Sequence, residues 1–104
     1  IVEGANGPVT EDGDIVLVDR SIVSVPDVLA NAGGVIASYV EWRNAKSGSV
    51  TDKEDTYEAI EQTLRRAFDR VTEASDELQI PLRLAAHAVS VREVVEAMKD
   101  RGWV

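Results

Sequence analysis

The runs that read as strands all lie in the first quarter of this chain, and they are too few to close a sheet. Ile1-Val2 and residues 22–25 are short apolar runs rich in β-branched side chains. Each run is stopped by turn residues: Gly4, Gly7 and Pro8 after the first, Pro26-Asp27 after the second. Between them, Thr10-Glu11-Asp12 reads as a helix start, with a capping side chain and early acids. Ile15-Val16-Leu17-Val18 prefers strand by propensity, and Gly13 weakens a helix. A hairpin of 15–18 with 22–25 is the competing reading, but no Asn-Gly or Asp-Gly turn joins them.

From Val28 onward the spacing is helical. Asn31, Val35, Ser38 and Trp42 recur at intervals of four, three and four, which places them on one helix face. Thr51-Asp52-Lys53-Glu54 reads as a capping box that opens a long helix. Its inward stripe would be Tyr57, Ile60, Leu64, Ala67, Phe68, Val71, Ser75 and Leu78. Pro81 begins the last helix, predicted to bury Leu84, Ala85, Ala88, Val91, Val95 and Met98 and to end at Gly102. The expected order is therefore β-α-β followed by three α-helices, an α/β arrangement of the doubly wound kind. Two parallel strands need cover on both faces. The reading is thus of a partial unit, and the opening Ile1-Val2-Glu3-Gly4, without Met, is expected to come either from processing or from a longer chain.

Composition narrows the function. With 19 acids against 11 bases the formal net charge is −8, which argues against a nucleic-acid backbone as ligand. There is no cysteine, hence no disulfide scaffold and no thiol nucleophile, and the single histidine, His87, cannot build a metal site. No apolar run approaches the ~20 residues that span a bilayer, and Ile1 to Pro8 reads as strand and turn rather than a signal peptide. A cytoplasmic protein without membrane partners is the expectation. Eight Arg against three Lys, with many acids, suits either salt adaptation or an ordinary acidic surface.

In open α/β sheets, ligands bind beyond the carboxyl ends of the strands. Glu3-Gly4-Ala5-Asn6-Gly7-Pro8 and the segment 26–35, which ends Asn31-Ala32-Gly33-Gly34-Val35, stand there, each with an asparagine among small residues. An asparagine amide both donates and accepts, which suits a carboxamide or a ribose hydroxyl. Read singly, the first segment is also an ordinary turn and Asn31 an ordinary helix-start cap.

These segments carry a family resemblance. Ile-Val-Glu-Gly-Ala-Asn-Gly-Pro at 1–8, Val-Pro-Asp at 25–27, Asn-Ala-Gly-Gly-Val at 31–35 and Ser-Tyr-Val-Glu-Trp at 38–42 resemble glutamate dehydrogenase. Leu82-Arg83, Ala85-Ala86, Glu96-Ala97-Met98 and Arg101-Gly102-Trp103 resemble its closing helix, so the likeness covers essentially the whole chain. Pro81, Leu84 and His87 depart from the family pattern.

The resemblance implies a partial Rossmann-like unit in which residues 11–20 are helical. It makes 1–104 the C-terminal segment of a dinucleotide-binding domain, with 1–50 facing cofactor and substrate and 51–104 forming two closing helices. NAD or NADP would be the cofactor. Asn6 would meet the nicotinamide-side ribose region, Asn31 the nicotinamide carboxamide, and Gly33 and Gly34 would keep backbone close to the dinucleotide. Val35 would line the substrate pocket, and Ser38 would donate to the γ-carboxylate of glutamate or 2-oxoglutarate, with ammonia as the other partner. Leucine- and phenylalanine-type relatives carry an apolar residue there, and a segment of such an enzyme is the alternative. A stand-alone, non-catalytic interaction domain is another.

No catalytic residue is assigned within the chain. The family's catalytic lysine and aspartate are expected upstream, and the isolated 104 residues are expected to be inactive. The resemblance implies a homohexameric parent, and a separate segment with an uncovered edge is expected to self-associate. No insertion separates the last two helices, so the antenna of animal-type enzymes is not expected.

Overall fold

Side-chain caps open two of the five helices, α1 and α4, of the computed structural model, which describes residues 1–104. Its elements are α1 (Glu11–Asp19), α2 (Asp27–Ala30), α3 (Gly33–Ser47), α4 (Lys53–Leu78) and α5 (Leu82–Asp100). In α1 the Thr10 hydroxyl accepts from Gly13 N–H at 3.2 Å, and Glu11, Asp12 and Asp14 lie against the positive end of the helix dipole. Ser21 then takes φ 56°, and Ile22 N–H donates to the Leu17 carbonyl, closing the helix. Capping at both ends outweighs the strand preference of Ile15 to Val18, and the helix implied by the family resemblance forms.

The expectation of an α/β, partial Rossmann-like unit in the order β-α-β is not met. The chain is about 70% helical and contains no strand or sheet. The two apolar runs meet only at a single parallel bridge, Val2 to Val25, where Val25 N–H donates to the Ile1 carbonyl and Glu3 N–H to the Val25 carbonyl. Pro26, which has no N–H, and the turn beginning at Gly4 end the pairing at once, and no third segment flanks it. A strand is defined by its neighbours, and here one bridge is all the pairing there is.

The long helix expected from Val28 is broken. Asn31 caps α2 and its N–H donates to the Asp27 carbonyl, and α3 starts afresh at Gly33. The break falls at Asn31-Ala32, and the two glycines that follow, poor helix formers, open α3 rather than carry α2 into it. The cap of α4 is also displaced by one residue. Asp52, not Thr51, accepts from Asp55 N–H at 2.9 Å, while the Thr51 hydroxyl donates to Asn44 Oδ1 at 2.9 Å and ties the end of α3 to the start of α4. Asp52→Ala should therefore lower stability by about 1 kcal/mol. Asp52→Asn, which keeps an acceptor, should leave the thermal midpoint nearly unchanged.

The core sits where α2, α4 and α5 meet. Leu29, Val71, Ala85 and Ala86 are buried there, with Val25, Ala67, Ala74, Ile80 and Leu82 packed around them. Alanines on the facing sides let α4 and α5 approach closely, and the Arg70–Glu93 ion pair spans the two helices. The predicted stripe of α5 is only partly realised: Ala85 is buried, but Leu84, Val91 and Val95 are exposed because nothing packs on their side. In α4, Tyr57, Phe68 and Leu78 are likewise exposed. Only seven of 104 residues are buried and the radius of gyration is 16.0 Å, against about 13 Å for a compact domain of this length. No helix is long and apolar enough to cross a membrane.

Candidate functional site

The Val2–Val25 bridge sets the turn at 4–7 beside the turn at 26–27, and side chains lock the two together. Gly7, at φ 58° in a conformation that favours glycine, donates its N–H to Asp27 Oδ2 at 2.7 Å. Asp27 Oδ1 accepts from Val28 N–H at 2.8 Å. These two donors, Gly7 foremost, hold the Asp27 carboxyl below its ordinary range. The same juxtaposition brings Asn31 Nδ2 within 2.6 Å of Asn6 Oδ1. Neither side chain makes another hydrogen bond within the chain, so the Asn31 carbonyl and the Asn6 amide group keep their remaining capacity for a ligand.

Around this pair lies an open depression of about 780 Å³, lined by Gly4, Ala5, Asn6, Val28, Asn31 and Val35, among others. Val35 is 68% exposed. Ser38 does not line the depression; one turn further along α3, its hydroxyl donates to the Gly34 carbonyl at 3.1 Å. A Cβ on Gly33 would face Ile60 and Leu64 of α4 at 3.5 and 3.9 Å, so Gly33 lies at a helix contact, whereas Gly34 faces open space. Thus Asn6, Asn31 and Val35 come together, Gly34 and Ser38 sit on the adjoining turn, and Gly33 is turned towards α4. Because Asn31 lies outside α3, the sequence argument that set Asn31, Val35 and Ser38 on one continuous helix face does not hold in that form.

Beneath the depression is a charged cluster that sequence reasoning missed. Glu3 is only 3% exposed. It accepts from Ser24 Oγ at 2.7 Å, from Asp27 N–H at 3.1 Å and from Arg83 Nη2. Burial pushes the Glu3 carboxyl up, but the Ser24 hydroxyl, the Arg83 guanidinium and the Asp27 amide together hold it below its usual value. Arg83 also donates from Nε to Asp14 Oδ1 at 2.9 Å and stands 3.9 Å from Asp27 Oδ1. Its own pKa is raised, by the bonds to Glu3 and then Asp14. The available sequence signal was an acid inside an otherwise apolar run, Ile1-Val2-Glu3.

Residues 1–102 match the sequence profile described as Glutamate/Leucine/Phenylalanine/Valine dehydrogenase. The chain belongs to this dehydrogenase family. Among its relatives in the family, a cryptic catabolic NAD-specific glutamate dehydrogenase of Bacillus subtilis is 43% identical over 104 residues, all of this chain but 24% of that protein. An NADP-specific glutamate dehydrogenase of Saccharolobus shibatae is 47% identical over 104 residues, covering 98% of this chain and 25% of that one. The crystal structure of glutamate dehydrogenase from Peptoniphilus asaccharolyticus superposes with a TM-score of 0.90 at 38% identity, over 99% of this chain and 26% of that chain. A hetero-hexameric glutamate dehydrogenase from Thermus thermophilus gives a TM-score of 0.85 at 28% identity, covering 93% and 23%. The dehydrogenase family member described here thus spans about a quarter of the length of the relatives it matches.

Proposed function

We propose that this chain forms the C-terminal segment of the dinucleotide-binding domain of a glutamate dehydrogenase, interconverting glutamate with 2-oxoglutarate and ammonia. In that reading, residues 1–50 carry the cofactor- and substrate-facing wall, and 51–104 are the closing helices. The observation that carries it is the Asn6–Asn31 hydrogen bond on the floor of the depression. One donor and one acceptor of that amide pair are spent on each other, and the remaining ones fit the complementary groups of a carboxamide or a ribose hydroxyl. The depression is also of the size that small-molecule sites occupy. NAD or NADP, bound there, would supply the hydride acceptor for oxidation and the donor for the reverse.

Asn31 would orient the nicotinamide carboxamide and Asn6 the adjoining ribose region. Gly34 leaves the backbone open to close approach, and Gly33 acts one step back, by setting α3 against α4. Val35 lines the wall beside the reacting carbon. The Ser38 hydroxyl would exchange its bond to the Gly34 carbonyl for one to the substrate's γ-carboxylate. The catalytic lysine and aspartate, and the opposite wall of the cleft, come from the rest of the polypeptide, which also covers the exposed faces of α1 and α5. A cytoplasmic hexamer completes the reading.

The test is a segment exchange. These 104 residues, replacing the matching quarter of the Bacillus subtilis relative, should yield an enzyme with glutamate-dependent NAD reduction, while the 104-residue chain alone should show none. A folded, assembled chimera that binds nucleotide but never turns over glutamate would refute the assignment.

A further inference from the structure

The charged cluster has a geometry that reaches beyond stability. Asp27 fixes both asparagines: its side chain takes the Gly7 N–H, next to Asn6, and its carbonyl takes the Asn31 N–H at 3.0 Å. Asp27 is in turn held from below, because its own N–H donates to Glu3 Oε2 at 3.1 Å. Glu3 is buried and held by Ser24 and Asp27, and Arg83, which reaches it from α5 across 80 positions of sequence, is the charged partner among its three donors. The guanidinium also grips Asp14 on α1 through Nε, so its plane is fixed by two carboxylates at once.

We propose that Arg83 is a positioning residue for the nucleotide side of the site. Through Glu3 and then Asp27, it sets the separation of the turns that carry Asn6 and Asn31. Arg83 does not line the depression; of the residues that do, it stands near Asp27 alone, 3.9 Å from Oδ1, and it makes no contact with Asn6 or Asn31. Its effect passes along three hydrogen bonds: Arg83 to Glu3, Asp27 N–H to Glu3, and Gly7 N–H to Asp27. The inference rests on the assignment of Asn6 and Asn31 to the cofactor, so its test must separate the two.

The experiment compares Arg83→Met, Arg83→Lys, Asn31→Ala and the Asn31→Ala/Arg83→Met double variant in the full-length dehydrogenase carrying this segment. KM for the nicotinamide dinucleotide, KM for glutamate and kcat are measured beside the melting temperature. Arg83→Met should raise the nucleotide KM about tenfold, as expected when positioning is lost at a distance, with little change in glutamate KM. Arg83→Lys keeps the charge but cannot fork onto Glu3 and Asp14 together, so it should recover part of the loss. It carries the test if the methionine variant does not accumulate folded: its nucleotide KM should still exceed that of the wild type. The double variant should lose less than the product of the two single losses, because part of Arg83's effect passes through Asn31 while the part that passes through Asn6 remains.

Unchanged nucleotide KM in the Arg83 variants, with only the melting temperature lowered, overturns the inference, as does full additivity in the double variant. An unchanged nucleotide KM in Asn31→Ala overturns instead the assignment of the site on which it rests.

Discussion

Glu3→Ala should cost the chain about 3 kcal/mol of stability, because it strips the partner from a partly buried guanidinium and orphans the Asp27 amide and the Ser24 hydroxyl. Arg83 keeps Asp14, which holds the loss to the lower end of what breaking a buried pair brings. Urea denaturation followed by far-UV circular dichroism measures it. A loss comparable to that of an exposed glutamate would show that the cluster does not hold these segments together. Glu3→Gln separates charge from shape. It keeps two acceptor sites on one oxygen, yet replaces a charge-assisted contact with a neutral one and turns an N–H₂ towards one of the three donors.

The same residue gives the stability a pH dependence. Its carboxyl titrates lower in the folded chain than in the unfolded one, where a glutamate has a pKa of about 4.3. It therefore stabilises the fold above that value, and the contribution disappears as pH falls through the lower, folded value. Asp27, shifted in the same direction, adds to the trend. Wild-type chain should lose urea resistance between neutral pH and pH 3, and Glu3→Gln should lose distinctly less.

Which parts of this molecule could be read from its sequence follows the range of the interactions involved. The helix α4 was legible because its stripe and its capping acids lie within a few residues of one another; the error of one position in the cap came from Thr51, whose hydroxyl is taken by Asn44. The strands were misread because pairing is non-local: the apolar runs meet the propensity criterion, but they find one bridge between them and no further neighbour. The break at Asn31 hid the true relation among the site residues. Spacing set Asn31, Val35 and Ser38 on one helix, whereas Asn31 reaches the depression as a cap and finds Asn6 across 25 positions. The Glu3–Arg83 cluster was beyond reach, since its members are separated by 21 to 80 positions and only the misplaced acid at 3 hinted at it. Exposed Leu84, Val91 and Val95 tell the same story from the other side, for a helix stripe announces what should be covered, not what covers it.

On the assignment proposed above, Ser38→Val in the full-length enzyme should reduce kcat/KM for glutamate about 100-fold. A hydrogen bond from a hydroxyl to a carboxylate is worth roughly 1.5–3 kcal/mol, and valine leaves that carboxylate facing a methyl group. The fold should tolerate the exchange: Ser38 is exposed, and its only hydrogen bond is to the Gly34 carbonyl, which α3 already engages as backbone. The nucleotide KM should stay put, because Ser38 lies a turn away from the Asn6–Asn31 floor. Ser38→Thr retains the hydroxyl and should keep most of the activity. The apolar pocket so created should shift preference towards amino acids with aliphatic side chains, measured as the ratio of kcat/KM for norvaline to that for glutamate. An enzyme that oxidises leucine before the exchange and never glutamate would instead belong to the leucine- and phenylalanine-type branch. In that case the Ser38 hydroxyl would remain bonded to Gly34 as part of the helix, and its removal would leave the ratio where it was.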